Sequence, residues 1–343
     1  MKRVANPPNP YAHVHAEYLG EPPPVRLEVY EEDARSILAC NDSPDIPYRW
    51  SLNPYRGCQH ACSYCYARPT HEYLGFGAGT DFESKICVKR NAPELLDREL
   101  SSPRWRRDEI AFSGVTDCYQ PLEVVYQLTR RCLEVCCRHA TPVGIVTKSY
   151  LILRDLDVLG RLHSTAGVHV MYSIAFCDDA LARAVEPGAP PPSRRFEAMR
   201  RLHEAGIPVS VMVAPIICGL NDREIPAVLE RAAECGARSA SYTPLRLPGN
   251  VAAVFLERLR AALPESARRI EARIREMRGG RLNDPRFGHR MRGSGEYWRG
   301  VEQLFVRTAR RLGLAAGSLE SRACRRRGAQ RTAAAKQLPL FGA

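Results

Sequence analysis

Three cysteines stand close together in the stretch NPYRGCQHACSYCYARPTHEYLGFG, at Cys58, Cys62 and Cys65, separated by three residues and then two. An odd number of thiols cannot pair off into disulfides among themselves, so metal binding is the chemistry to weigh first. A structural zinc ion needs four ligands, and His60 and His71 are at hand to supply one. His60, however, lies inside the three-residue spacer, and no second Cys-x2-Cys follows at finger-like distance. Three thiolates on one tight loop can instead hold three corners of a 4Fe-4S cube, leaving the fourth iron open to a ligand on which chemistry is done.

Such a loop needs a scaffold, and the chain from residue 48 onward offers one. Short β-branched runs alternate with longer amphipathic ones: IAFSGVT from Ile110, VGIVTKS from Val143, VHVMYSIA from Val168, VSVMVAPI from Val209 and SASYTPL from Ser239 are interleaved with LEVVYQLTRRCLEVCCRHA, LRDLDVLGRLHS, SRRFEAMRRLHEAG and EIPAVLERAAECG. Strands crossed over by helices make a parallel sheet, in which both strand faces are expected to be buried. With one further strand just before the cysteines, six units result. They suit an α/β fold, a partial open (β/α)6 TIM-like barrel, with a doubly wound sheet as the alternative. In either, chemistry belongs at the carboxyl ends of the strands, and the cysteines sit in the loop after the first. The organisation read from Pro/Gly punctuation and charge is an irregular Pro-rich segment over 1–47, a β/α core over 48–248, a basic helical region over 249–316 and a disordered basic tail over 317–343.

Composition narrows the class. The 343 residues are 45% hydrophobic and 26% charged, which fits a globular protein with a full core. No apolar run approaches the ~20 residues needed to span a bilayer, and MKRVANPPNPYAHVH lacks a secretory h-region, so a cytoplasmic protein without membrane contact is expected. Thirteen cysteines in a reducing compartment argue against a disulfide framework. Charge is uneven: residues 254–343 hold 21 basic and 8 acidic side chains, the first 253 hold 29 and 30. A basic field of this kind attracts polyanions, with a solvated arginine-rich surface as the plain alternative.

The Cys-x3-Cys-x2-Cys motif with the aromatic Tyr64 before its last cysteine resembles the signature of radical S-adenosylmethionine (SAM) enzymes. NPYRGCQHACSYCYARPTHEY, FSGVTDCYQPLE, GIVTKS and APIICGLND are similar to the branch related to spore photoproduct lyase, also described as DNA-repair-photolyase-like, over about residues 48–315. The resemblance implies that Cys58, Cys62 and Cys65 ligate a 4Fe-4S cluster, whose open iron is chelated by SAM. Reductive cleavage of SAM then yields a 5'-deoxyadenosyl radical that abstracts hydrogen from substrate. It also implies that Tyr64 lies against the adenine, and it brings an electron donor such as flavodoxin or ferredoxin. Ser113, Gly114, Thr116 and Asp117, small or polar groups at the second strand end, could meet the methionine amine, or form no more than a turn. Thr147 and Ser149 offer hydroxyls toward ribose and Lys148 a cation toward the cofactor carboxylate. The stretch Pro215 to Asn221 resembles the adenine-contacting segment of the superfamily, with Gly219 allowing close backbone approach.

Spore photoproduct lyase uses a separate cysteine as hydrogen donor. Cys118 stands in the comparable region, although the matching position falls nearer Gly114 and Val115, and a buried core role is the alternative. Cys132, Cys136, Cys137 and His139 mimic a metal cluster but share a predicted helix, where Cys132 and Cys136 stack as core residues. Cys87 and Cys218 would serve chemistry only from the barrel mouth. The chain closes on QLPLFGA, in which Gln337, Leu338, Leu340 and Phe341 resemble the pentapeptide by which bacterial DNA polymerases and repair proteins bind the replicative sliding clamp. The expected function is a radical SAM enzyme acting on DNA. Radical chemistry on RNA, a peptide or a metabolite is the alternative, and a non-catalytic metal-bearing adapter for nucleic acid or the clamp stands in another class.

Overall fold

A computed structural model of the protein describes residues 6–11 and 26–318. Its strands are β1 (Glu28–Glu32), β2 (Leu38–Cys40), β3 (Trp50–Leu52), β4 (Tyr55–Arg56), β5 (Lys85–Lys89), β6 (Ile110–Phe112), β7 (Val143–Thr147), β8 (Val168–Ser173), β9 (Val209–Ile216), β10 (Ser239–Pro244) and β11 (Ala315–Ser318). Seven of them, β3, β6, β7, β8, β9, β10 and β11, run parallel and lie side by side in that order, and β2 adds antiparallel to β3. The sheet is open: among the described residues nothing pairs β11 with β2. The rising order, each new strand beside the last, is that of a barrel wall and not of a doubly wound sheet, whose strand order reverses.

Strand periodicity separates two faces. Leu52, Phe112, Ile145, Val170 and Val209 are successive register partners across five strands, and each is at most 2% exposed. They form the main core with the helices Leu128–Arg138, Leu156–Thr165, Pro192–Glu204 and Ile225–Glu234. The alternate row, Ser51, Ala111, Gly144 and His169, is small or polar. This inner face corrects the expectation of strands buried on both sides, because the concave side of the curved sheet walls a cavity. Here the alternation in burial along β7 and β8 is the visible trace.

Other elements were not legible in advance. Residues expected to be irregular contain β1 and β2, and β1 joins β5 and β4 in a separate three-stranded sheet. The basic region is helical over Val251–Ala262, Pro264–Met277 and Gly295–Arg311, and then turns at Gly313, φ +68°, into the seventh parallel strand β11. Among the described residues no helix is long and apolar enough to cross a membrane. Gln337, Leu338, Leu340 and Phe341 lie outside the described residues.

Candidate active site

The cysteine loop follows β4 and is shaped from behind. Gly57, at φ +81°, lies so close to its neighbours that a Cβ would stand 2.8 Å from both His71 Cε1 and the Phe82 carbonyl oxygen. Only glycine fits both that dihedral and that gap. Arg68, fully buried, donates to the carbonyls of Ala61, Cys62, Ala78 and Gly79 at 2.7–3.2 Å and to Glu83 Oε2 at 2.8 Å. Arg258, from a helix far along the chain, donates to the Ala61 carbonyl at 2.9 Å and to Glu83 Oε1 at 2.6 Å. Two guanidiniums thus grip the loop backbone while one carboxylate bridges them, and the carbonyls that a tight loop leaves unpaired are satisfied. From the front, Thr116 Oγ1 donates to the Gly57 carbonyl at 2.6 Å.

Cys58, Cys62 and Cys65 are unpaired thiols that line one cavity of about 370 Å³ at the carboxyl ends of the strands. Among the described residues no three His, Cys, Asp or Glu side chains converge as ligands of a single metal ion. His71 is buried behind the loop and bonded through Nε2 to the Lys85 carbonyl, away from the cavity. This placement removes His71 as a ligand beside the loop cysteines. Three free thiols on one cavity wall are a donor set of the kind that would hold three irons of a cube.

His60 links the loop to the second strand end. Its Nδ1 lies 3.4 Å from Asp117 Oδ2, and its ring also bonds the Cys58 thiol. Burial would lower the His60 pKa, but Asp117 and Cys58 outweigh it and push it up to about 10. Burial would likewise raise Asp117, but His60 and backbone amides hold it down at about 2. Cys58 is lowered despite its burial, because His60 stands beside it. Asp117 further accepts from Thr147 Oγ1 and the Lys148 amide, each at 2.8 Å, which ties the second and third strand ends together.

Of the expected site residues, Tyr64, Ser113, Gly114, Thr116, Asp117, Thr147 and Lys148 line the cavity with the three cysteines. Most have work already: Ser113 donates to the Val146 carbonyl, and the Tyr64 hydroxyl bonds Glu186, itself paired with buried Arg195. Lys148 Nζ meets Ser173 Oγ at 2.7 Å and stands 5.8 Å from the Tyr64 ring centroid. Ser149, Gly219 and Asn221 are not cavity-lining. Asn221 spends its amide on Ala175, Pro215 and Ile217 backbone groups, and Gly219 faces Arg273. Cys118 is fully buried in the main core, where burial pushes its thiol far up, and it does not reach the cavity. Cys132 and Cys136 are core residues of one helix, Cys218 packs on Met277, and Cys87 belongs to the three-stranded sheet. Tyr66, Ser173, Glu186 and Arg246 were missed. Ser173 and Arg246 sit at or just beyond strand ends, so the rule that found Lys148 reaches them too; the Tyr64–Glu186 contact has no sequence signal.

The family model of the radical SAM superfamily matches residues 52–232. An uncharacterized protein of Mycobacterium tuberculosis (strain H37Rv) is 38% identical over 234 residues, 68% of each chain. One of Methanocaldococcus jannaschii is 34% identical over 199 residues, 58% of this chain and 71% of that protein. The chain therefore belongs to the radical SAM superfamily. Its fold is that of spore photoproduct lyase: the structure of that enzyme complexed with dinucleoside spore photoproduct aligns over 85% of this chain and 81% of its own, with a TM-score of 0.62 and 16% identity.

Proposed function

We propose that this radical SAM enzyme abstracts hydrogen from DNA in a lyase-type repair reaction. The observation that carries the reading is the convergence of three free thiols, Lys148 and a tyrosine-lined cavity at the strand ends of a fold shared with spore photoproduct lyase. Cys58, Cys62 and Cys65 would hold the 4Fe-4S cluster, Lys148 would orient the SAM carboxylate and Tyr64 its adenine. When bound, the cluster and SAM supply reductive sulfonium cleavage and a carbon-centred radical. The protein's part is to fix the loop and exclude water. DNA is favoured by the dinucleoside in the structural neighbour and by the net positive charge of +12. The sliding clamp is proposed as a partner on Gln337, Leu338, Leu340 and Phe341 alone, and flavodoxin or ferredoxin as electron donor on the family alone.

Anaerobic reconstitution should load about four irons per chain, and Ala at Cys58, Cys62 or Cys65 should abolish loading. Reduced enzyme given SAM and deuterated oligodeoxynucleotides should place label in 5'-deoxyadenosine. Stoichiometric zinc without iron uptake would remove the cluster reading, and 5'-deoxyadenosine without label from any DNA probe would remove DNA as substrate.

A further inference from the structure

We propose that Arg246 holds a phosphodiester oxygen of the substrate inside the cavity; this deepens, and rests on, the nucleic-acid reading above. Arg246 follows the carboxyl end of β10 and lines the same cavity as the cysteines. Arg246 is half-buried, and the buried arginines mostly have carboxylates: Arg68 and Arg258 share Glu83, and Arg195 has Glu186. Arg246 has none among the described residues. Its Nη1 meets Met291 Sδ at 3.4 Å, its Nε is buried without a hydrogen-bond partner, and its guanidinium stands 5.7 Å from the Tyr66 ring centroid. Asp45 is nearby, but its oxygens are taken by the Gly288 amide at 2.8 Å and Arg290 Nε at 2.5 Å. Among the described residues the side chain of Arg278, beside it, donates to the Leu245 and Arg292 carbonyls and to no carboxylate.

An uncompensated guanidinium in a pocket costs stability, and burial together with Arg290 pushes its pKa below the usual value. A ligand anion would remove the cost. Two anions compete for the place, the SAM carboxylate and a phosphodiester. Lys148, beside Tyr64, already offers a cation to the first. Arg246 stands beside Tyr66, a half-exposed aromatic on which a base can stack, and its planar fork suits two phosphate oxygens.

The test uses the reconstituted holoenzyme, a thymidine tetranucleotide and its neutral methylphosphonate counterpart, with affinities read by calorimetry. Wild type should prefer the phosphodiester by about ten- to a hundredfold, the value of one charge-assisted hydrogen bond. Arg246→Met should erase that preference and, having shed an unpaired charge, melt no lower than wild type; Arg246→Lys should keep part of it. Wild type that binds neither oligonucleotide overturns both the nucleic-acid reading and this proposal. Wild type that prefers the phosphodiester, with Arg246→Met doing the same, overturns the proposal alone. Loss of SAM affinity in Arg246→Met with oligonucleotide binding intact assigns the residue to the cofactor carboxylate and overturns it as well.

Discussion

Around the cysteine loop, Arg68 and Arg258 share Glu83 and between them occupy the loop's carbonyl oxygens, whereas Arg246, on the cavity wall after β10, and Arg278 beside it have no carboxylate partner among the described residues. Both regions are arginine-rich and largely buried, and they differ in whether the charge is balanced from within the chain. The balanced region is rigid because each removed partner would strand a buried ion. The unbalanced one is anchored at its rim, where Asp45 bonds Arg290 and Gly288, and by Arg278, which donates to the Leu245 carbonyl. On the proposed function, the first design suits a loop that would hold a cluster in one geometry, and the second a wall that would accept and release an anion.

Three substitutions probe that contrast, in falling order of effect. Glu83→Gln leaves Arg68 and Arg258 facing each other without a counter-ion, and should lower unfolding free energy by about 3 to 5 kcal/mol in urea melts and reduce iron content after reconstitution. A loss below about 1 kcal/mol would mean the carbonyls alone suffice to hold the loop. Asp45→Asn breaks the rim contact with Arg290, at a cost of about 1.5 to 3 kcal/mol, yet frees another guanidinium near Arg246, so oligonucleotide binding should tighten. Weaker binding would show that the latch shapes the wall more than charge does. Cys118→Ala deletes one buried heavy atom behind the cavity and should cost about 1 kcal/mol in stability, as one lost methylene does, with 5'-deoxyadenosine formation retained. A selective loss of product, with normal 5'-deoxyadenosine, would return Cys118 to the role of hydrogen donor.

Much of the scaffold was legible because local rules act over short spans. The β-branched runs at Ile110, Val143, Val168, Val209 and Ser239 became β6 to β10, and the cysteine spacing marked the loop itself. The inner face was expected to be buried like the outer one, since a periodicity argument sees burial and not curvature. The intramolecular clamp that Arg258 and Glu83 close on the cysteine loop was invisible because the two residues are 175 positions apart. The basic excess of the last quarter also proved heterogeneous: Arg258 and Arg278 are buried, and Arg290 is paired with Asp45, so part of that charge braces the interior and is not a surface field. β11 was missed because AAGS carries neither β-branching nor an aromatic.

The sequence distance across the clamp also orders events during synthesis. Residues 58–65 leave the ribosome early, but the carboxylate and guanidinium that set their backbone are contributed by Glu83 and, much later, Arg258. Closing so long a loop carries an entropic cost that is met only once the helix Val251–Ala262 docks. A nascent chain halted before that helix would carry its three thiols on a segment that Arg68 holds and Arg258 does not yet brace.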